Sequence, residues 1–430
     1  MIKVGLISLG CAKNRVDGEM MLAMFPRDRF SLTNNPAEAD LIIVNTCGFI
    51  EDAKKESIET IFEMAQHKAK LVIVGCLAER YLEELKKEIP EADLIVPIRD
   101  YKELAKYLSE LTGEEGILPL NPMRRVLSTA PYSAFLRISE GCNNFCSFCA
   151  IPFIRGGFVS RPFDEIIEEA KQLKEQGVKE VSIISQDTTV YGSDFPTKKP
   201  DIVDLLKAIE DIGFFSIRLL YLYPSEISDE LIDLIANSKS IAHYFDIPVQ
   251  CASDHLLKAM KRHADAKETL DLFKKIKQKC PDAVLRTTLI AGFPGENEDD
   301  QKQTLAFLEE VKFDHMGCFL YSREEGTASY YYPDQIEEEV KEKRRDELMR
   351  LQQKIAFAQA KKQVGKVYEG LILGKDKRTH KYLFRCSWNA PDDIDGAIEV
   401  SSSRPLQEGD IVKARITASF AYDLEGEVVE

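Results

Sequence analysis

Three thiols crowd into one short stretch, "EGCNNFCSFCAIP": Cys142, Cys146 and Cys149, with three residues and then two between them. Three chemistries compete for such a trio. A structural zinc site normally closes four ligands, and no histidine accompanies these three. A disulfide is disfavoured by an odd number of thiols and by a reducing compartment. An iron–sulfur cluster takes Cys thiolates at close spacings. Three thiolates on a four-iron cluster leave one iron without a protein ligand, open to a small molecule.

A second trio is spread along the chain. Cys11 follows "VGLISLG", Cys47 follows "LIIVNT" and Cys76 follows "LVIVG". Each comes one step after a short apolar run that reads as a parallel strand. The ends of parallel strands share one sheet edge, so the three thiols are expected to converge. The competing reading is three buried small residues, since free Cys is among the most buried types. Three thiols at equivalent positions, each preceded by Gly or Thr, favour a second cluster with an open iron. Cys251, Cys280, Cys318 and Cys386 are scattered without ligand spacing and read as structural. His243, His255, His263 and His315 show no metal spacing either.

The elements that must position these thiols follow from periodicity. Residues 1–112 alternate short strands with Glu/Lys-rich helices, the pattern of a parallel α/β sheet. A Pro- and Gly-containing linker follows. Residues 132–362 resume the alternation, with six strand candidates from "AFLRISEG" to "HMGCFLYS". Six βα units in series predict a partial (βα)6 barrel, whose chemistry belongs at the C-terminal strand ends. The first trio directly follows the first of those strands. Residues 334–363 predict an amphipathic helix across the barrel, with Ile336, Val340, Leu348, Leu351 and Ile355 on its apolar face. Residues 365–430 are short β-like runs separated by turn residues, a small all-β barrel. The fold class is thus α/β multidomain with an all-β C-terminal unit.

With Phe148 just before its last Cys, the first trio resembles the signature of the radical S-adenosylmethionine (SAM) superfamily. That resemblance implies a [4Fe-4S] cluster whose open iron binds SAM and, once reduced, cleaves it to a 5′-deoxyadenosyl radical. "SLGCAKNRVDGE", "ADLIIVNTCGFIEDAKKES" and "VGCLAER" resemble the N-terminal domain of the methylthiotransferases, and "CSFCAIPFIRGGFVSRP" their radical core. The β-rich tail resembles the TRAM domain. The resemblance covers essentially the whole chain. It implies a second [4Fe-4S] cluster on Cys11, Cys47 and Cys76 that carries the sulfur to be transferred. It also implies a sulfur source and a one-electron donor, flavodoxin- or ferredoxin-like.

Beside the trios, Phe148, Gly156, Gln186, Asp187, Gln250 and Arg286 are expected around SAM. The amides and carboxylate would bond a ribose or amino-acid moiety, Arg286 would pair with a carboxylate, and Gly156 would let backbone approach closely. The bland alternative is that strand ends are often polar anyway.

The net charge is −15, and hydrophobic residues make up 44%. No apolar run reaches the roughly 20 residues of a membrane span. The first residues read as a strand without the basic region of a secretory signal, so the cytoplasm is the expected compartment. An acidic protein grips nucleic acid poorly and suits a basic partner. Residues 365–430 hold nine Lys/Arg against twelve Asp/Glu, without the cationic excess that phosphate binding requires. "WNAPDDIDG" groups Asp392, Asp393 and Asp395, which could meet a basic protein loop; a solvated turn is the alternative. Methylthiotransferases act either on a transfer-RNA adenosine or on an aspartate β-carbon of small-subunit ribosomal protein twelve. Tail charge and the resemblance of "YLFRCSWNAPDDIDG" favour the basic ribosomal protein. A non-enzymatic iron–sulfur or RNA-binding protein is the remaining alternative.

Overall fold

A computed structural model describes residues 1–392 and 394–429. The first unit is a five-stranded, wholly parallel sheet: β1 (Ile2–Ser8), β2 (Phe30–Leu32), β3 (Leu41–Thr46), β4 (Lys70–Gly75) and β5 (Leu94–Val96), in the order β2-β1-β3-β4-β5. Every residue of β3 is buried, as expected of a strand covered on both faces. Edge strand β2 is too short to show a period, and sequence reading passes over it. Helices α1 (Ala12–Leu22), α2 (Glu51–Met64) and α3 (Cys76–Arg80) follow β1, β3 and β4.

Helix α1 breaks the amphipathic rule. It has no apolar stripe, yet Lys13, Asn14, Asp17 and Glu19 are all buried along it. Its two carboxylates are matched by arginines from beyond the first unit, and Asn14 by carbonyls within it. Asp17 pairs with Arg137 at 2.5 Å and Arg155 at 2.7 Å, while Glu19 pairs with Arg125 at 2.6 Å. A second set of ties joins Glu324 of the barrel to Arg80 at 2.8 Å and Lys54 at 3.1 Å.

The second unit carries six parallel strands: β6 (Ser133–Arg137), then, after the ribbon strands β7 (Ser139–Glu140) and β8 (Val159–Ser160), β9 (Glu180–Ile184), β10 (Ser216–Leu219), β11 (Tyr244–Asp246), β12 (Val284–Ala291) and β13 (His315–Leu320). They form two three-stranded sheets, β6-β9-β10 and β11-β12-β13, joined by a parallel bridge between Ile217 and Ile241. The arc is open, a partial barrel. β7 and β8 pair antiparallel and clasp the base of the loop bearing Cys142, Cys146 and Cys149.

The helix Glu338–Lys361 crosses the barrel, but its buried stripe differs from expectation. Leu348 is buried and Leu351 and Ile355 pack against the core, whereas Val340 is exposed. Gln352 and Gln359 turn inward instead, donating to the carbonyls of Phe313 (2.9 Å) and Lys312 (2.8 Å). A polar side chain is tolerated there because it caps the loop ending the preceding helix.

The tail closes into a five-stranded barrel, β14 (Val367–Lys375), β15 (Tyr382–Arg385), β16 (Ile398–Ser401), β17 (Ile411–Ser419) and β18 (Leu424–Val429), in the order β14-β15-β16-β18-β17. β17 alternates exposed and buried residues, as a barrel wall with one filled side must. The barrel docks on the second unit through Arg218, which is fully buried and donates to the carbonyls of Cys386 (2.7 Å) and Asn389 (3.0 Å).

Candidate functional site

All six cysteines of the two trios line one cavity of about 430 Å³ between the first and second units. The parallel order β1-β3-β4 brings the three strand ends together, and Cys11, Cys47 and Cys76 occupy them. Glycines permit this crowding. A Cβ on Gly10, whose φ is +81°, would stand 2.7 Å from the Cys47 sulfur; one on Gly48 would stand 2.8 Å from the backbone of Leu77. Across the cavity, the loop after β6 presents the other three thiols. Gly141 anchors its start with φ +75°, where any Cβ would collide with the carbonyls of Gly156 and Gly157. The Cys142 amide donates to the Gly156 carbonyl at 3.2 Å, closing the clasp.

The thiols sit in a dry environment. Burial pushes Cys47 and Cys149 up to about 12 and Cys142 to about 11, and it raises Cys76. A bare thiolate is costly there; a bound iron supplies the missing positive charge and displaces the proton. Two guanidinium groups already face the sulfurs. Arg155 lies 3.5 Å from the Cys76 sulfur and Arg262 lies 3.6 Å from that of Cys146. Arg155 falls in the "IRGG" stretch, and nothing local to Arg262 signals that it reaches the loop. The donor set of three thiols on each wall, without His or carboxylate, suits iron–sulfur clusters.

The other expected residues divide. Phe148, Gln186 and Gln250 line the cavity. Gln186 donates to Glu140 at 2.6 Å, and its buried carbonyl oxygen has no partner among the described residues, the condition of an acceptor awaiting a ligand. Gly156 and Asp187 lie behind the wall. Asp187 is buried and accepts from Asn144 at 2.8 Å and from Thr189, so it stiffens the cysteine loop.

Arg286 is a correction. It sits near the start of β12, away from the strand-end rim, and pairs with Asp246 at 3.0 Å and Asp395 at 3.4 Å. Asp395 is the second. Its side chain is fully buried, accepting from Tyr244 at 2.7 Å and from the Ala390 amide at 2.8 Å, so it docks the small barrel and cannot meet a substrate. Asp392 pairs with Arg15 of α1 at 3.2 Å, and Asp393 lies outside the described residues. Asp395 thus belongs to an internal seam, because the chain's own Arg286 reaches it, while Asp392 stays exposed beside Arg15. Cys251, Cys280 and Cys386 are buried, and no cysteine is in a disulfide. Cys280 and His243 do approach Asp282, all ligand atoms lying within 4.8 Å of one another, an arrangement their sequence spacing did not signal.

A partial six-stranded barrel with a three-thiol loop after its first strand defines the radical SAM class. Residues 136–308 match the radical SAM superfamily, 3–97 the uncharacterized protein family UPF0004 and 364–429 the TRAM domain. The radical SAM methyltransferase TsrM from Kitasatospora setae shares the fold at TM-score 0.54 and 15% identity, over 74% of this chain and 75% of that one. The radical enzyme OxsB does so at TM-score 0.52 and 13% identity, over 83% and 56%.

Full-length similarity is closer to proteins called ribosomal protein uS12 methylthiotransferase RimO. That of Aquifex aeolicus is 47% identical, covering 100% of this chain and 98% of the relative. That of Clostridioides difficile is 46% identical, covering 100% and 99%. The chain belongs to this RimO family of radical SAM methylthiotransferases.

Proposed function

We propose that this chain adds a methylthio group to the β-carbon of an aspartate in ribosomal protein uS12, using two [4Fe-4S] clusters and SAM. The observation that carries this reading is the convergence of two cysteine triads, one from each unit, on a single cavity. Cys142, Cys146 and Cys149 would hold one cluster and Cys11, Cys47 and Cys76 the other. When bound, the first supplies reductive SAM cleavage strong enough to open an unactivated C–H bond, and the second supplies the sulfur.

The chain's own residues hold, orient and exclude water. Phe148 and Tyr223 shield the first triad, and the unpartnered oxygen of Gln186 would accept from a polar group of SAM. Gln250, held in a left-handed conformation at φ +72°, turns its side chain toward the same space. Arg155 ties α1 to the cysteine loop through Asp17 and Asn14, fixing the distance between the two walls. We assign working units 1–112, 132–362 and 365–430, supported by the three separate strand groups. The reaction needs a flavodoxin- or ferredoxin-like electron donor and a sulfur source.

The barrel's own charge, nine Lys/Arg against twelve Asp/Glu over residues 365–430, argues against a transfer-RNA substrate. No helix among the described residues is long and apolar enough to cross a membrane, in keeping with work on ribosomal protein in the cytoplasm. Mass spectrometry of uS12 with and without this enzyme is the direct test. A gain of one methylthio group is expected; an unchanged mass with the reconstituted enzyme, SAM and reductant sinks the reading. A Cys146→Ala variant should lose SAM cleavage, whereas Cys47→Ala should keep cleavage and lose sulfur insertion.

A further inference from the structure

The charges on the cavity wall are one-sided. Lys13, Arg155 and Arg262 line it, and among the described residues no Asp or Glu does. Two of these cations are already engaged. Arg155 donates to Asp17 and Asn14, at 2.7 and 3.0 Å. Arg262 donates to the Pro248 carbonyl at 2.7 Å and stacks on Tyr223, 4.0 Å from its ring centroid.

Lys13 differs. Its side chain is 8% exposed, yet among the described residues its ammonium has no hydrogen-bond acceptor and no ion-pair partner. It rests 3.5 Å above the ring centroid of Tyr221. That ring is deliberately held: Tyr221 has φ +63°, costly for a non-glycine residue, and its amide is tied to the Asp246 carboxylate at 3.1 Å. Lys13 comes from the first unit and Tyr221 from the second, so the pair spans the seam between the triads. The Cys11 thiol and Glu140 act on Lys13 only from beyond ion-pair distance, so this buried ammonium, held over an aromatic face, can receive an anion directly.

Two further features narrow the anion. At the same cavity, Phe145 and Phe319 are 54% and 55% exposed, an apolar rim suited to a peptide segment rather than a free ion. By the radical SAM resemblance, SAM's own carboxylate would go to the open iron of the first triad. The aspartate proposed above brings one more carboxylate, bonded directly to the carbon that must be placed between the two walls.

We propose that Lys13 is the specificity-determining residue that receives the carboxylate of the substrate aspartate. This rests on the uS12 reading. Pairing that carboxylate with Lys13 places its β-carbon one bond from a fixed point, and a neutral side chain entering the cavity would leave the ammonium bare.

The test uses the anaerobically reconstituted, unreduced enzyme, so that affinity is read without turnover. Binding is measured for uS12 and for uS12 whose modified aspartate, located by mass spectrometry, is replaced by Asn. Wild type should prefer the Asp form about tenfold or more, the value of a buried charged hydrogen bond. Lys13→Met should erase the preference, and Lys13→Arg should restore part of it, with iron content unchanged in both. A Lys13→Met variant that kept the wild-type preference would overturn the proposal. So would one that lost iron, since Lys13 would then serve the metal. If wild type bound neither form, the uS12 reading itself would fall, and this inference with it.

Discussion

Asp17 is the residue on which the join between the two walls most depends. Its carboxylate bridges Arg137 at 2.5 Å and Arg155 at 2.7 Å, with the three side chains 4%, 11% and 3% exposed. Asp17→Asn keeps the shape and removes the charge, leaving two buried guanidinium groups. Breaking a buried ion pair from one side costs about 3–5 kcal/mol. Glu140 stays 2.9 Å from Arg137 and 3.5 Å from Arg155 and compensates in part, so about 3 kcal/mol is expected.

A multidomain chain need not unfold in one step, so a global melting curve is the wrong assay. Hydrogen exchange of α1 and of residues 151–155 reads the join directly. Protection there should fall about a hundredfold, since each tenfold is about 1.4 kcal/mol. The barrel β14–β18 should be unaffected. Burial alone would raise the Asp17 carboxyl, but Arg137 and Arg155 outweigh it and hold it below the usual range. The stabilisation is therefore complete above the unfolded value of about 4 and is lost as pH falls through the lower folded value. The gap between wild type and Asp17→Asn should close along that acid limb. Protection in α1 within threefold of wild type at neutral pH would refute the keystone role, as would equal loss in all three units.

Three further perturbations separate the parts. Gly141→Ala forces a Cβ into the carbonyls of Gly156 and Gly157, so reconstituted protein should lose the iron of the first triad and keep that of the second, measured by iron analysis. Arg218→Met strips the buried donors from the carbonyls of Cys386 and Asn389; it should cost about 2–3 kcal/mol and loosen the small barrel, seen as a red-shifted emission of Trp388, the chain's one tryptophan. Glu324→Gln leaves Arg80 and Lys54 without their shared carboxylate; faster proteolysis between residues 113 and 131 is expected, and unchanged cleavage would show that this contact does not hold the units together.

The chemistry of this protein was legible in short range. Three thiols in one loop, and three more after successive apolar strands, need no coordinates to imply open-iron clusters, because ligand spacing and strand period are local properties. The strand groups followed from the same periodicity, missing only an edge strand too short to show one. What the sequence could not reveal was which charges meet across the units. Helix α1 carries Lys, Asp and Glu where a core helix should be apolar, and "PDDID" reads as a surface turn. Only the docking of three units shows that Asp17, Glu19 and Asp395 are internal struts, that Arg286 serves the seam rather than the cavity, and that Lys13 faces the cavity without an ion pair. An ion pair is fixed by where two distant segments come to rest, and no window of sequence contains both.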